Sequence, residues 1–234
     1  MPPQLRERIE DYVRSTMTTV VQPTLALAHD FQHVARVRHW ALQIAKCEGY
    51  ADRDVVEATA LLHDIGLATV TDRRQHAAVG ADQATQYLVQ LHYFTPHQIT
   101  TIAEAIRAHS GLSGGGVLGA ILRDADMLDL FGAIGIMRAC VAQSGQPEYD
   151  PLQVKGVTWG MSADGFTARF QAGEGMGSTI VDHLNFHISC ADNLHTVAAR
   201  QFAQPLLAYM RAYVLQLEHE ILTGKDRDVD MPMT

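Results

Sequence analysis

The sequence predicts an all-α protein: a helical bundle interrupted once by a glycine-rich insertion before its C-terminal helices. Three observations predict it. Apolar residues recur at helical spacing through most of the 234 residues. Stretches that alternate with a period of two are nearly absent. The helix-sized segments also start and stop on residues that cap helices.

The first strongly periodic segment is 31–47, where Phe31, Val34, Val37, Ile44 and Ala45 fall on one face. Residues 53–64 are rich in Ala, Val and Leu, with Asp52 placed to cap the start and Gly66 to stop the end. Residues 76–91 carry Ala77, Gly80, Ala84, Tyr87 and Leu88 at helical intervals. Thr95 to Gln98 has the order of a capping box with Pro96 at the first helical position, so a helix runs through Ile99, Ile102 and Ile106 to His109. The glycine-rich stretch from Ser110 to Gly116 is a loop, and 118–142 reads as one further helix.

Residues 143–178 are rich in Gly, Pro and polar side chains and too long for a simple connector. They read as a flexible insertion or lid with a short hairpin around Val157 and Phe166. Residues 179–222 read as one or two C-terminal helices packing on the core, and the tail from Thr223 as frayed. The whole, 1–234, is expected to be a single domain.

The chain is 47% hydrophobic and 19% charged, with a formal net charge of −8. Its basic residues are scattered, which argues against nucleic acid as the partner. An acidic protein that handles phosphates needs a metal or a local arginine cluster to offset repulsion. The polar start and the lack of a long apolar run predict neither a secretory leader nor a membrane span. Cys47, Cys140 and Cys190 form no CxxC pair and read as reduced thiols in a cytoplasm.

The chemistry concentrates in histidines and aspartates at the inner edges of the helices. His33 shares its face with Arg36 and Val37. His63 and Asp64 end an apolar helix, where an unpaired charge would cost several kcal/mol. Asp126 sits with Leu122 and Asp129 on its face. Together His33, His63, Asp64 and Asp126 offer two imidazoles and two carboxylates. That mixed set suits a divalent ion — Mn, Mg, Fe, Co, Ni or Zn — with positions left for water. His76 and His109 continue apolar seams and face inward, either as ligands of a second ion bridged by Asp64 or as donors to a phosphate. The other histidines, His29, His39, His92, His97, His183, His187, His195 and His219, read as structural, with His29-Asp30 as an alternative outer support of the site.

The stretches "HDFQHVARV", "LLHDIG" and "ILRDADMLDLFGAIGIMRA" together resemble the HD superfamily of metal-dependent phosphohydrolases over residues 25–142. The last stretch is similar to the bacterial HD hydrolases that include nucleotide pyrophosphohydrolases. The resemblance implies His33, His63, Asp64 and Asp126 as ligands of one ion. It also matches His76 and His109 to the histidines that two-metal members add. Two departures stand out: Leu67 occupies the place of the Lys in the common HDIGK pattern, and no Glu follows the His-Asp pair closely.

The expected activity is hydrolysis of a phosphoester or phosphoanhydride in a nucleotide-like small molecule by metal-activated water. Asp64, Arg36 and His109 are the expected catalytic residues, with Arg36, and beside it Arg73, Arg74 or Arg123, neutralising phosphate oxygens. The alternatives are a di-iron oxygenase of the same scaffold and a non-catalytic binding module. A homodimer is left open as the assembly.

Overall fold

In a computed structural model, residues 1–18 and 30–227 are described. Among them are ten α-helices and no β-strand. These are α1 (Pro3–Met17), α2 (Phe31–Cys47), α3 (Arg53–Leu62), α4 (His76–Leu91), α5 (Pro96–Ala108), α6 (Gly116–Leu128), α7 (Gly132–Ala142), α8 (Ala163–Gln171), α9 (Ile180–Ser189) and α10 (Val197–Arg227). His29 and residues 19–29 as a whole lie outside the described residues, as do residues 228–234 of the expected frayed tail. Residues 223–227 of that tail are helical. None of the described helices is long and apolar enough to cross a membrane.

The chain divides into two compact units, Met1–Asp129 with Leu194–Gln201, and Leu130–Asn193 with the chain from Phe202 onward. In the first unit, α2 packs on α3 and α6, and α5 packs on α4, α3 and α6. Each helix buries the stripe its sequence marks. On α2 the buried residues are His33, Val34, Val37, Ala41, Ile44 and Ala45. On α5 they are Ile99, Ile102, Ala103, Ala105 and Ile106. Helix α3 is buried from Val55 to Leu62 on every side, and its two polar side chains there are satisfied, Glu57 by Arg38 and Thr59 by the Val55 carbonyl. Each fully buried Leu or Ile contributes about 1.5–3 kcal/mol.

The caps fall where the side chains put them. The Asp30 carboxylate accepts from the His33 N–H and starts α2. Asp52 accepts from Val55 N–H and starts α3. Thr95 and Gln98 form the reciprocal capping box of α5.

Gly66 has a different role from the expected helix stop. Its φ is not positive. Instead, a Cβ there would lie 2.1 Å from the His76 carbonyl oxygen and 2.6 Å from Gly80 N. The turn after His63-Asp64 and the start of α4 therefore pack backbone against backbone. Helix 118–142 is also corrected. It is two helices, α6 and α7, because Gly132 takes φ +69° and turns the chain between them.

In the second unit, α9 packs against α7 and α8. The hairpin expected around Val157 and Phe166 is absent. Ser162 accepts from Gly165 N–H and starts α8 instead, and Phe166 is buried on that helix with its ring edge-on to Phe186 at 5.4 Å. The stretch 143–178 is held by a buried carboxylate, Asp182, which accepts from Thr158 N at 3.2 Å, Thr158 Oγ1 at 2.8 Å, Ser178 N at 3.3 Å and Thr179 Oγ1 at 2.9 Å. Gly156 and Gly177 give it room, since a Cβ on either would meet the Asp182 carboxyl within 2.6 Å.

Replacing Asp182 with alanine will strand the two backbone donors and cost about 3 kcal/mol. A urea titration will show a lower midpoint, and an unchanged midpoint would refute the role assigned to this network.

Candidate metal centre

The histidine and aspartate side chains meet in the first unit. His33 comes from the first turns of α2 and is fully buried. His63 caps the C-terminal end of α3. Asp64 has already left the helix, with φ −104° and ψ 3°. That break matters. Two consecutive helical residues point about 100° apart, but the turn at Asp64 lets both side chains aim the same way, with His63 Nε2 3.2 Å from Asp64 Oδ2. His76 opens α4 and His109 caps the end of α5.

Asp64 stands at the centre with its two oxygens facing different imidazole pairs. Oδ2 lies 3.5 Å from His33 Nε2 and 3.2 Å from His63 Nε2. Oδ1 lies 3.6 Å from His76 Nε2 and 3.5 Å from His109 Nε2. Within each of the sets His33–His63–Asp64 and Asp64–His76–His109, the donor atoms all lie within 4.8 Å of one another. Asp126 joins through Oδ1, 3.3 Å from His33 Nε2, and is about a third exposed (32%) where the other donors are buried.

The hydrogen bonds on the far side of each ring set its tautomer. His63 Nδ1 faces Ala60 O at 2.9 Å, His76 Nδ1 faces Arg73 O at 2.6 Å, and His109 Nδ1 faces Ile106 O at 2.7 Å. A carbonyl only accepts, so each Nδ1 carries the proton. Every Nε2 then presents a lone pair to the centre. His76 Nε2 and His109 Nε2 stand 3.1 Å apart, where two facing lone pairs repel unless a cation lies between them. Two nitrogens each about 2.1 Å from one ion and at a right angle would stand about 3.0 Å apart. His63 Nε2 is buried and makes no hydrogen bond. These residues fit a divalent ion.

Electrostatics agrees with the arrangement. Burial pushes the His63 imidazolium down, but with no cation present the charge of Asp64 and Asp126 more than reverses this and lifts it to about 9, so an ion binding at Nε2 would displace a proton there. Burial also works on Asp126, and the positive potential of His33 and His63 outweighs it, so the carboxyl stays below its ordinary range. His76 is held below the ordinary histidine range, first by burial and then by His109. A buried carboxylate ringed by imidazoles is costly in isolation and reasonable around a cation.

The arginines do something other than expected. Arg36 Nε and Nη2 donate to Asp129 Oδ1 at 2.6 Å and Oδ2 at 3.0 Å, so the fork expected to meet phosphate is committed to a carboxylate. Arg123 Nη1 donates to the Ala108 and Gly114 carbonyls and holds the 110–116 loop. Arg74 pairs with Asp72 at the surface, and Arg73 supplies the carbonyl that orients His76. Leu67 is buried in the packing, as an apolar residue at the usual lysine position would be.

Two residues escape a reading of the sequence. Asp129 is buried and accepts from His33 Nδ1 at 2.8 Å. Asp124 is buried and accepts from Thr196 N at 2.7 Å, Thr196 Oγ1 at 2.7 Å and His195 Nδ1 at 3.0 Å. The only sequence signal was their spacing, at i−2 and i+3 from Asp126, which reads equally as a solvated face.

Comparison with known proteins agrees with this geometry. Residues 30–131 match the HD domain family. Over 144 residues the chain is 30% identical to YpgQ of Bacillus subtilis, an alignment that covers 57% of this chain and 63% of YpgQ. The crystal structure of Bacillus subtilis YpgQ in complex with ADP superposes with a TM-score of 0.62 at 24% identity, over 93% of this chain and 95% of that one. An HD-superfamily hydrolase from Bacillus thuringiensis superposes with a TM-score of 0.64 at 23% identity, over 93% and 96%. At such identities the structures speak for the fold alone, and the family match spans the segment that holds all six histidines and aspartates of the cluster. Residues 30–131 are therefore similar to the HD domain family, and the buried histidines and aspartates of that segment point to a divalent-metal site.

Proposed function

We propose that this chain is a metal-dependent phosphohydrolase that cleaves a phosphoester or phosphoanhydride of a nucleotide-like small molecule in the cytoplasm. The observation that carries this is Asp64, one carboxylate whose two oxygens each face a pair of imidazole nitrogens. The ADP complex of YpgQ supports a nucleotide as ligand. The acidic charge of this chain works against a phosphate ligand, so a cation held at the centre would have to offset it.

His33, His63, Asp64 and Asp126 would hold one ion, and Asp64, His76 and His109 a second. A bound ion supplies a Lewis acid and a water of lowered pKa. The nitrogen-rich donor set favours Mn, Fe, Co, Ni or Zn over Mg, which prefers oxygen ligands. Asp126 is partly exposed beside His33, and its lowered pKa keeps it ionised, so it is the carboxylate placed to take a proton from an attacking water. Asp64 and the four imidazoles orient the reacting groups and exclude bulk water.

The test is elemental analysis together with hydrolysis of ADP, nucleoside triphosphates and simple phosphate esters in the presence of Mn, Co, Ni or Mg. The wild-type chain is expected to carry about two ions. His76→Ala will keep the ion at His33, His63 and Asp64 and lose the other, so the count falls to about one. Absence of hydrolysis with every metal in a metal-loaded protein would reject the reading.

The facing nitrogens of His76 and His109 also favour a second reading, a di-iron oxygenase. It requires about two irons per chain and oxygen-dependent turnover of a small molecule. An oxygen electrode separates it from hydrolysis.

A further inference from the structure

We propose that Asp129 is a positioning residue of the metal centre, set between Arg36 and His33 as a relay that fixes the tautomer of the imidazole and raises its donor strength. This rests on the metal-dependent reading above. The Asp129 carboxylate is nearly fully buried (2% exposed), and each of its oxygens is used. Oδ1 accepts from Arg36 Nε at 2.6 Å. Oδ2 accepts both from Arg36 Nη2 at 3.0 Å and from His33 Nδ1 at 2.8 Å.

The chain of consequences is short. A carboxylate only accepts, so His33 Nδ1 must carry the proton and Nε2 must present its lone pair to Asp64 and Asp126. His33 differs here from His63, His76 and His109, which lean on neutral carbonyls of the preceding turn. A negative partner polarises the N–H bond and makes the opposite nitrogen a stronger ligand. Left alone, such a buried carboxylate would be costly. The Arg36 fork neutralises it and fixes the plane of the carboxyl, so that one oxygen points at His33. Arg36 thereby acts through Asp129, which accounts for a charged residue on the inner face of α2 that does not reach Asp64.

Asn is the same size as Asp but breaks the relay in either orientation. With its oxygen toward His33, its amide nitrogen faces the Arg36 donors. Flipped, it donates to His33 Nδ1, and the ring proton must move to Nε2, where it blocks a ligand bond.

The experiment titrates the metal-free full-length chain with Mn²⁺ and records the histidine ring nitrogens by NMR. Asp129→Asn is expected to weaken binding by about 10- to 100-fold, and the His33 signals will leave the pattern of a ring protonated at Nδ1. Asp129→Glu will recover part of the affinity. Arg36→Lys keeps the charge and removes the fork, and it will weaken Mn²⁺ binding by a smaller factor. It also carries the test should Asp129→Asn fail to fold. A folded Asp129→Asn with wild-type Mn²⁺ affinity and unchanged His33 signals overturns the proposal, as does Arg36→Lys with wild-type affinity where only that variant folds. A wild-type chain that takes up no metal sinks this inference and the hydrolase reading together, whereas wild-type uptake with an unaffected Asp129→Asn sinks this inference alone.

Discussion

Asp64→Ala will leave the protein without bound metal and lower its hydrolysis by at least about 10³-fold, the scale expected when a water loses its activating ion. The reason is the position of this one carboxylate. Its Oδ2 serves His33 and His63, and its Oδ1 serves His76 and His109, so no single histidine variant has the same reach. Asp64→Asn keeps the volume and removes the charge, and it should share the loss of metal. Elemental analysis and a turnover assay measure both effects, with circular dichroism checking that the helices persist. A folded Asp64→Ala chain that keeps its metal and its turnover would remove the basis for the two-site geometry.

Gly66→Ala will destabilise the protein by about 3 kcal/mol or more, because the added methyl meets backbone where no rotamer can relieve it. The contacts are the His76 carbonyl oxygen at 2.1 Å and Gly80 N at 2.6 Å. For a chain of this size that lowers the melting temperature by about 6–12 °C. The same clash pushes the start of α4 away from the Asp64 turn, and His76 rides on that start. The second ion should therefore be lost along with stability. Gly80→Ala serves as a comparison, since its Cβ would lie 3.2 Å from Gly66 N, a contact that a small shift can absorb. Calorimetry combined with metal counting reads both variants. A melting temperature for Gly66→Ala within a degree or two of wild type would contradict the backbone contact.

Much of the centre was legible along the chain. His33, His63-Asp64 and Asp126 stood out because each interrupts an apolar helical face, where a polar group needs a partner. His76 and His109 stood out as continuations of apolar seams. The structure brings all six into one region.

Arg36 and Asp129 were not legible in the same way. They are 93 positions apart, and each alone reads as an ordinary charge on a helix. Arg36 looked like a phosphate contact because its pattern marks an inward face without naming what lies there. The expected hairpin around Val157 and Phe166 failed for a local reason. Composition there resembles a strand with turns, but the Ser162 cap outweighs it and starts a helix. The single helix over 118–142 failed because apolar content continues through Gly132 while the backbone does not.

The sequence by itself determined that the protein is helical, where most helices begin and end, and which residue types carry its chemistry. Helical periodicity and caps are relations among residues a few positions apart, so they can be read in one dimension. Only the tertiary structure decided that one carboxylate divides four imidazoles into two pairs, which nitrogen of each ring faces inward, and that a buried aspartate stands between Arg36 and His33. Those are distances of about 3 Å between helices far apart in the chain, and they depend on how the packed backbones meet, down to a glycine that lets two of them touch.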